Sequence, residues 1–187
     1  MKKTWDMFES WLAANWNEGL QHLNPPATDD EISELEKVLN VKLPDDYKAC
    51  LKIHNGQDEN VGGIFDNSEF LSTQAVIAQH SIWKQLEESG QFDEFKSNPE
   101  LGIKNTWWNN HWIPFTHNGG GDHYCIDLDP TAEGKQGQII TMWHDMAERE
   151  LVDTNFSVWF SNYVNDVLAG QYVYSEDFGG LIHIDYA

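Results

Sequence analysis

The chain has 187 residues, 40% hydrophobic and 13% aromatic, with nine Trp, nine Phe and six Tyr. So much apolar surface excludes an intrinsically disordered chain, and the length suits one well-cored domain better than two. Its 31 acidic residues against 11 Lys and Arg leave a formal charge of −20, which argues against direct nucleic-acid binding because phosphates are gripped mainly by Lys and Arg.

A first helix is expected from about Trp5 to Trp16, with Trp5, Phe8, Trp11 and Leu12 as its apolar stripe. Asp6 and Glu9 stand where an export leader would need its apolar core, so no export signal and a cytoplasmic location are expected. Pro25-Pro26 forbids helix before the next element, and Thr28 with Glu31 forms a capping box that opens it. Ile32, Leu35, Val38 and Leu39 share its inner face, and it should end near Asn40. Pro44 suits a first helical position, Tyr47, Cys50, Leu51 and His54 make the next stripe, and Asn55-Gly56 reads as a left-handed stop. His54 is expected to meet the terminal carbonyls of that helix.

Gly62 to Phe65 and Glu69 to Leu71 read as short strands around an Asp66-Asn67 turn. Ser72 then opens a helix carrying Val76, Ile77, His80, Trp83 and Leu86, which stops near Ser89-Gly90. Gln91 to Asn110 is polar and irregular, a loop or insertion over the sheet. Strands are expected at Trp112 to Thr116, His123 to Leu128 and Gln138 to Trp143. A closing helix from about Asn155 to Ala169 turns Phe156, Phe160, Tyr163, Val164, Val167 and Leu168 inward, capped by Asn155 and ended by Gly170. In the tail from residue 171 to 187, Ile182, Ile184 and Tyr186 alternate like an added edge strand. The elements predict an α+β fold: one domain, an antiparallel β-sheet meander packed against N-terminal helices and a C-terminal helix.

The chemistry-bearing strings are few. His117-Asn118-Gly119-Gly120-Gly121-Asp122-His123 is followed by a strand, not by the helix a phosphate loop needs, so it reads as a tight turn. Strand alternation puts Tyr124, Ile126 and Leu128 on one face and His123, Cys125, Asp127 and Asp129 on the other. Asp127 and Asp129, with His123 or His144, could hold a divalent cation, or the carboxylates could satisfy backbone donors in adjoining turns, the reading preferred here. Zinc signatures and a Gly-x-Ser-x-Gly elbow are absent, and Cys50 and Cys125 sit in hydrophobic patterns as packing residues, so no catalytic residue, metal or cofactor is assigned. Trp107 and Trp108 either plug the core or anchor a partner.

Residues 25–32, Leu35-Glu36, Leu43-Pro44-x-Asp46-Tyr47 and Asn55-Gly56 resemble the N-terminal signature of the SUKH superfamily, in its Smi/Knr-like branch. Trp112-Ile113-Pro114-Phe115, Gly119-Gly120-Gly121-Asp122, Cys125 to Pro130 and Gly137 to Ile140 resemble later segments of that family, in the same order. The resemblance implies the fold just described and a non-enzymatic protein-binding role. In bacterial members that role is neutralising a cognate toxin, often a nuclease; in fungal members it is that of an interaction hub. No defined catalytic set comes with it.

The acidic excess is uneven: residues 121 to 187 hold 12 acids against Lys135 and Arg149 alone. A basic protein partner, such as a toxin domain, is therefore expected, with Asp122, Asp127, Asp129, Asp145, Glu148, Glu150 and Asp153 contributing beside Trp107 and Trp108. The bland alternative is that acidity serves solubility. A regulatory scaffold with another partner is the first rival. From a different class comes a small metal-dependent hydrolase using His117, Asp122, His123, Asp127 and Asp129.

Overall fold

The computed structural model describes residues 1–187. Helix α1 spans Lys2–Asn15, α2 Asn17–Gln21, α3 Asp29–Leu39, α4 Asp45–Leu51, α5 Thr73–Glu88 and α6 Phe156–Leu168. The strands are β1 Glu69–Phe70, β2 Asn98–Pro99, β3 Trp112–Pro114, β4 Thr116–His117, β5 His123–Asp127, β6 Gln138–Met142, β7 Glu148–Arg149, β8 Leu151–Asp153, β9 Tyr172–Ser175 and β10 Gly180–His183. The fold is α+β, as the element order predicts, and its centre is an antiparallel sheet in the order β3-β5-β6-β8.

Strand alternation sorts this sheet between two cores. Ile113, Ile126 and Ile139 face α1, α4 and α6 through Trp5, Tyr47, Phe156 and Phe160. Trp112, Cys125, Ile140 and Met142 face the opposite way, onto Trp83 of α5 and Ile103 and Trp108 of the loop. Both faces are covered, which is why every residue of β6 is buried. The second core also receives His123 and Asp127, both fully buried.

Local signals place the helix ends well. Thr28 and Glu31 make the reciprocal capping box of α3, Asn40 closes it in the left-handed region at φ 54°, and Ser72 and Asn155 cap α5 and α6 through their side chains. Several expectations change. α1 begins at Lys2 rather than Trp5, and the short α2 follows it. Pro44 caps α4 from outside the helix, which ends at Leu51, so Asn55-Gly56 does not terminate it. Instead Gly56, at φ 73°, passes so close to the Ser72 backbone that a Cβ would collide with it, and Asn55 bonds Thr73 through both its side-chain atoms. His54 leaves the helix end and joins Glu9 at 2.8 Å to the Asn24 carbonyl at 2.9 Å. Val38 and Leu168, expected inward, are 48% and 44% exposed, because the packing partners of α3 and α6 cover narrower stripes than the periodicity allows.

Pairing differs at three edges. Phe65 and Ser68 form a single bridge across the turn, while β1 pairs with β4. Within the irregular 91–110 stretch, β2 pairs parallel with β7. In the tail, β9 and β10 pair only with each other, and residues Ile184–Tyr186 form a 3-10 turn, so the alternation does not extend the central sheet. The hairpin docks on the 62–67 segment, where Leu181 N donates to Gly63 O and Asn67 N donates to Leu181 O.

Candidate functional site

An aromatic-lined concavity lies where α6, β8, the Asp66 turn and β9 meet beside β5. Trp159, Asn162, Tyr163 and Asp166 are spaced i, i+3, i+4, i+7 on α6 and so rise along one side of it. β8 adds Val152 and Asp153, β5 adds Tyr124, β9 adds Tyr172, and the turn adds Phe65 and Asp66, around a cavity of about 280 Å³. Its walls are aromatic: Trp159 and Tyr163 lie 6.0 Å apart with planes at 11°, Tyr163 and Tyr172 lie 4.8 Å apart, and Tyr124 and Trp159 lie 5.8 Å apart.

Asp66 is held in the lining by long-range bonds. The Tyr163 hydroxyl donates to Ile64 O at 2.7 Å and accepts from Asp66 N at 3.2 Å, and Asp66 Oδ1 accepts from His183 N at 3.2 Å. Asp66 and Asn67 both take positive φ, 48° and 56°, a conformation that Asp and Asn tolerate better than other side chains. Burial pushes the Asp66 carboxyl above its usual range, opposed by the His183 N–H. Burial also raises the hydroxyls of Tyr124, to about 12, and of Tyr163 and Tyr172, so all three remain neutral donors. Asp153 accepts from Asn162 at 3.0 Å.

Asp66 and Tyr124 also line a neighbouring depression of about 350 Å³, shared with Asn118, Asp122, Trp143 and Asp145. Burial works to raise the Asp122 carboxyl, yet bonds from His144 N at 2.8 Å, His144 Nδ1 at 2.9 Å and Asn118 Nδ2 at 2.7 Å outweigh it and hold the group low. The two hollows form one groove that carries Asp66, Asp122, Asp145, Asp153 and Asp166, and neither is lined by a lysine or arginine.

Of the acids singled out in the sequence, Asp122, Asp145 and Asp153 meet here. Glu150 is exposed and its charge reaches Tyr124. Glu148 is exposed on β7. Asp129 lies elsewhere, paired with Lys104 at 2.6 Å and bonded to Asn109. Asp127 is enclosed: Oδ1 accepts from Asp129 N and Oδ2 from Gln138 Nε2, so its side chain is not offered to a partner and the turn-satisfying reading describes it. Trp108 is likewise buried, stacked on Trp83 at 5.4 Å. Trp107 is half-buried beneath Arg149, whose Cζ lies 4.9 Å from its ring. Asp66, Asp166 and the aromatic walls were not singled out. The mixed aromatic and polar stripe at Trp159, Asn162, Tyr163 and Asp166 was the available signal.

The set His117, Asp122, His123, Asp127 and Asp129 does not converge. His123 Nδ1 faces Thr116 O at 2.6 Å, its Nε2 accepts from Trp83, and burial lowers its pKa to about 4. Gly119 and Gly121 take positive φ while Asn118 Oδ1 accepts from Gly120 N and Asp122 N, which makes the glycine run a strand-to-strand turn. Asp122, His144 and Asp145 could each offer one ligand atom to a cation, these atoms lying within 4.8 Å of one another. Cys50 and Cys125 are buried free thiols, pushed up by burial and so held away from the reactive thiolate. The N-terminal signature is consumed in scaffolding: Glu36 Oε1 accepts from Leu43 N, and Asp46 accepts from Tyr47 N and from Ser157 N of α6.

A helix-flanked antiparallel sheet whose N-terminal signature residues brace the backbone defines an α+β domain of the SUKH type. The chain belongs to the SMI1/KNR4 family (SUKH-1), whose model matches residues 26–162. It is 23% identical over 209 residues to the cell wall assembly regulator SMI1 of Saccharomyces cerevisiae, covering 92% of this chain and 41% of that protein. With the glucan synthesis regulatory protein of Neurospora crassa it shares 22% identity, covering 93% of this chain and 40% of that protein. With F-box only protein 3 of Homo sapiens it shares 24%, covering 91% and 35%. The chain thus spans about two fifths of the length of the fungal relatives it matches. The two fungal relatives are named as regulators. No helix is long and apolar enough to cross a membrane.

Proposed function

We propose that this chain is a non-enzymatic protein-binding domain that holds a basic partner against its acidic groove, and that the partner is a cognate toxin domain of the nuclease kind, which the chain neutralises by covering its substrate surface. The observation that carries this is the groove itself: five carboxylates on aromatic walls with no lining lysine or arginine. A nuclease needs a basic face for its phosphates, so a complementary acidic face gains fast association and occludes the active surface together. The only arginine of the chain supports the same polarity, because it is buried and turned to backbone carbonyls rather than to solvent. The names of the fungal relatives favour a second reading, a regulatory scaffold that uses the same groove on a different basic protein.

The test is capture by the immobilised chain at low and high salt, with bound proteins identified by mass spectrometry, followed by stopped-flow association of the purified partner. The toxin reading expects a basic nuclease-like domain that salt releases, and a combined Asp122→Lys, Asp145→Lys and Asp153→Lys change that slows association more at low than at high salt. A partner that is not a toxin would move the assignment to the scaffold. Unchanged association by the charge-reversed chain would remove the groove from either reading.

A further inference from the structure

We propose that the aromatic hollow between α6 and β9 is a receptor for one guanidinium group, the arginine side chain by which the partner is anchored. This rests on the reading of the groove as a basic-partner site and names the chemistry of one of its two hollows.

The hollow differs from the rest of the acidic surface in the number of aromatic rings that line it, Phe65, Tyr124, Trp159, Tyr163 and Tyr172. Trp159 and Tyr163 stand nearly parallel at 11°, and Tyr172 closes on Tyr163 at 4.8 Å. Aromatic rings attract a cation that has shed its water, an attraction absent from an ordinary solvated acidic patch. Carboxylates stand at different points around the walls: Asp66 from the turn, Asp153 from β8 and Asp166 from α6. No lysine or arginine of the chain lines the hollow, and burial raises the half-buried Asp66 carboxyl against the opposing pull of His183.

A guanidinium fits this arrangement better than an ammonium. It is planar and weakly hydrated, so it can stack on an aromatic wall, and its fork of five donors can reach carboxylates on more than one side. An ammonium is a compact, strongly hydrated point charge that gains less from a flat wall. The volume of about 280 Å³ suits one side-chain head rather than a folded segment. Tyr163, Asp166 and Tyr172 lie beyond the 26–162 stretch that the family model covers, so part of the receptor is built by α6's last turns and the hairpin.

The experiment titrates the full chain with a blocked single-arginine peptide in a Gly-Ser context, and with its lysine, citrulline and heptalysine counterparts, followed by calorimetry and by the Trp159 indole resonance. The expected result is that the arginine peptide binds and shifts that resonance, that citrulline in its place weakens binding about tenfold or more, and that lysine binds several-fold more weakly than arginine. Asp66→Asn, which keeps shape, and the separate Asp166→Asn, at an exposed position, should each weaken the arginine peptide while leaving the urea midpoint in place. Asp93→Asn, at an exposed position outside both hollows, should leave it unchanged. Equal binding of arginine and citrulline, or indifference to both Asp66→Asn and Asp166→Asn, would overturn the receptor. If heptalysine still binds in a way that depends on Asp122 and Asp145, the acidic-groove reading survives that failure. If no basic peptide binds, both fall.

Discussion

The indole Nε1 of Trp83 donates to His123 Nε2 at 2.9 Å, and this one contact between α5 and β5 decides the chemistry of the imidazole. Indole is a donor only, so Nε2 must be the acceptor and the ring proton sits on Nδ1, aimed at Thr116 O 2.6 Å away. Both nitrogens are then occupied within the protein. A histidine that could have been a base or a ligand is a neutral strut between helix and sheet.

His123 should therefore resist protonation. Its pKa falls from 6.5 to about 4, chiefly through burial, with the stacked His117 adding to it. A depressed imidazole leaves the folded state with fewer bound protons than the unfolded chain, so its stabilising effect is whole above pH 6.5 and is lost as pH falls toward 4. The loss approaches about 3 kcal/mol at the lower end. Half-buried Asp66 and buried Asp127, whose carboxyls burial holds high, act in the opposite sense, so the measurement is the His123 resonance itself, titrated in the folded protein. No titration of that ring above pH 5 is expected, and a midpoint near 6.5 would refute the assignment.

Arg149→Lys should destabilise the fold by about 3 kcal/mol, read as a lower urea midpoint. The fully buried guanidinium donates through Nη1 to Met146 O at 2.6 Å and Glu148 O at 2.7 Å, and through Nη2 to Trp107 O at 2.9 Å, while it covers the Trp107 ring. An ammonium cannot reach both arms of that fork. A change within about 0.5 kcal/mol would mean that the 91–110 loop is held by other contacts.

Tyr47→Phe should leave stability unchanged or raise it by up to about 1 kcal/mol. The ring packs on Phe115 and Phe156 in the main core, but its buried hydroxyl has no hydrogen-bond partner. Removing that oxygen keeps the packing and relieves a desolvated polar group. A loss of more than about 1 kcal/mol in thermal unfolding would reveal a partner for the hydroxyl.

Gly62→Val should unseat the tail hairpin. A Cβ at Gly62 would collide with the Gly179 carbonyl, so the β9–β10 turn could not lie against this segment. Hydrogen exchange is expected to quicken across residues 172–183 while α3 keeps its protection. The groove should weaken as well, since Tyr172 forms one of its walls.

Much of the scaffold was legible from local chemistry. The Thr28-Glu31 box, the Ser72 and Asn155 caps and the end of α3 near Asn40 each depend on groups within a few residues, so the local sequence suffices to find them, though not the left-handed turn that Asn40 makes. The division of β5 into a Tyr124-Ile126-Leu128 face and a Cys125-Asp127 face was legible too, because the period of a strand is fixed. What lay on the second face was not. Alternation shows that Asp127 and His123 point together, but only the loop from 91 to 110 and α5 turn that face from a polar surface into a core.

The sequence by itself determined the family, the α+β order of elements, the acidic charge and the absence of familiar catalytic motifs, since these reside in local patterns and composition. Only the tertiary structure decided which acids act together. Asp66, Tyr124, Asp153, Asp166 and Tyr172 come from five separate elements, and Asp66 is set in place by Tyr163 and by His183, far along the chain. Local periodicity says which way a side chain points. It carries no information about what folds back to meet it, and the groove consists of such meetings.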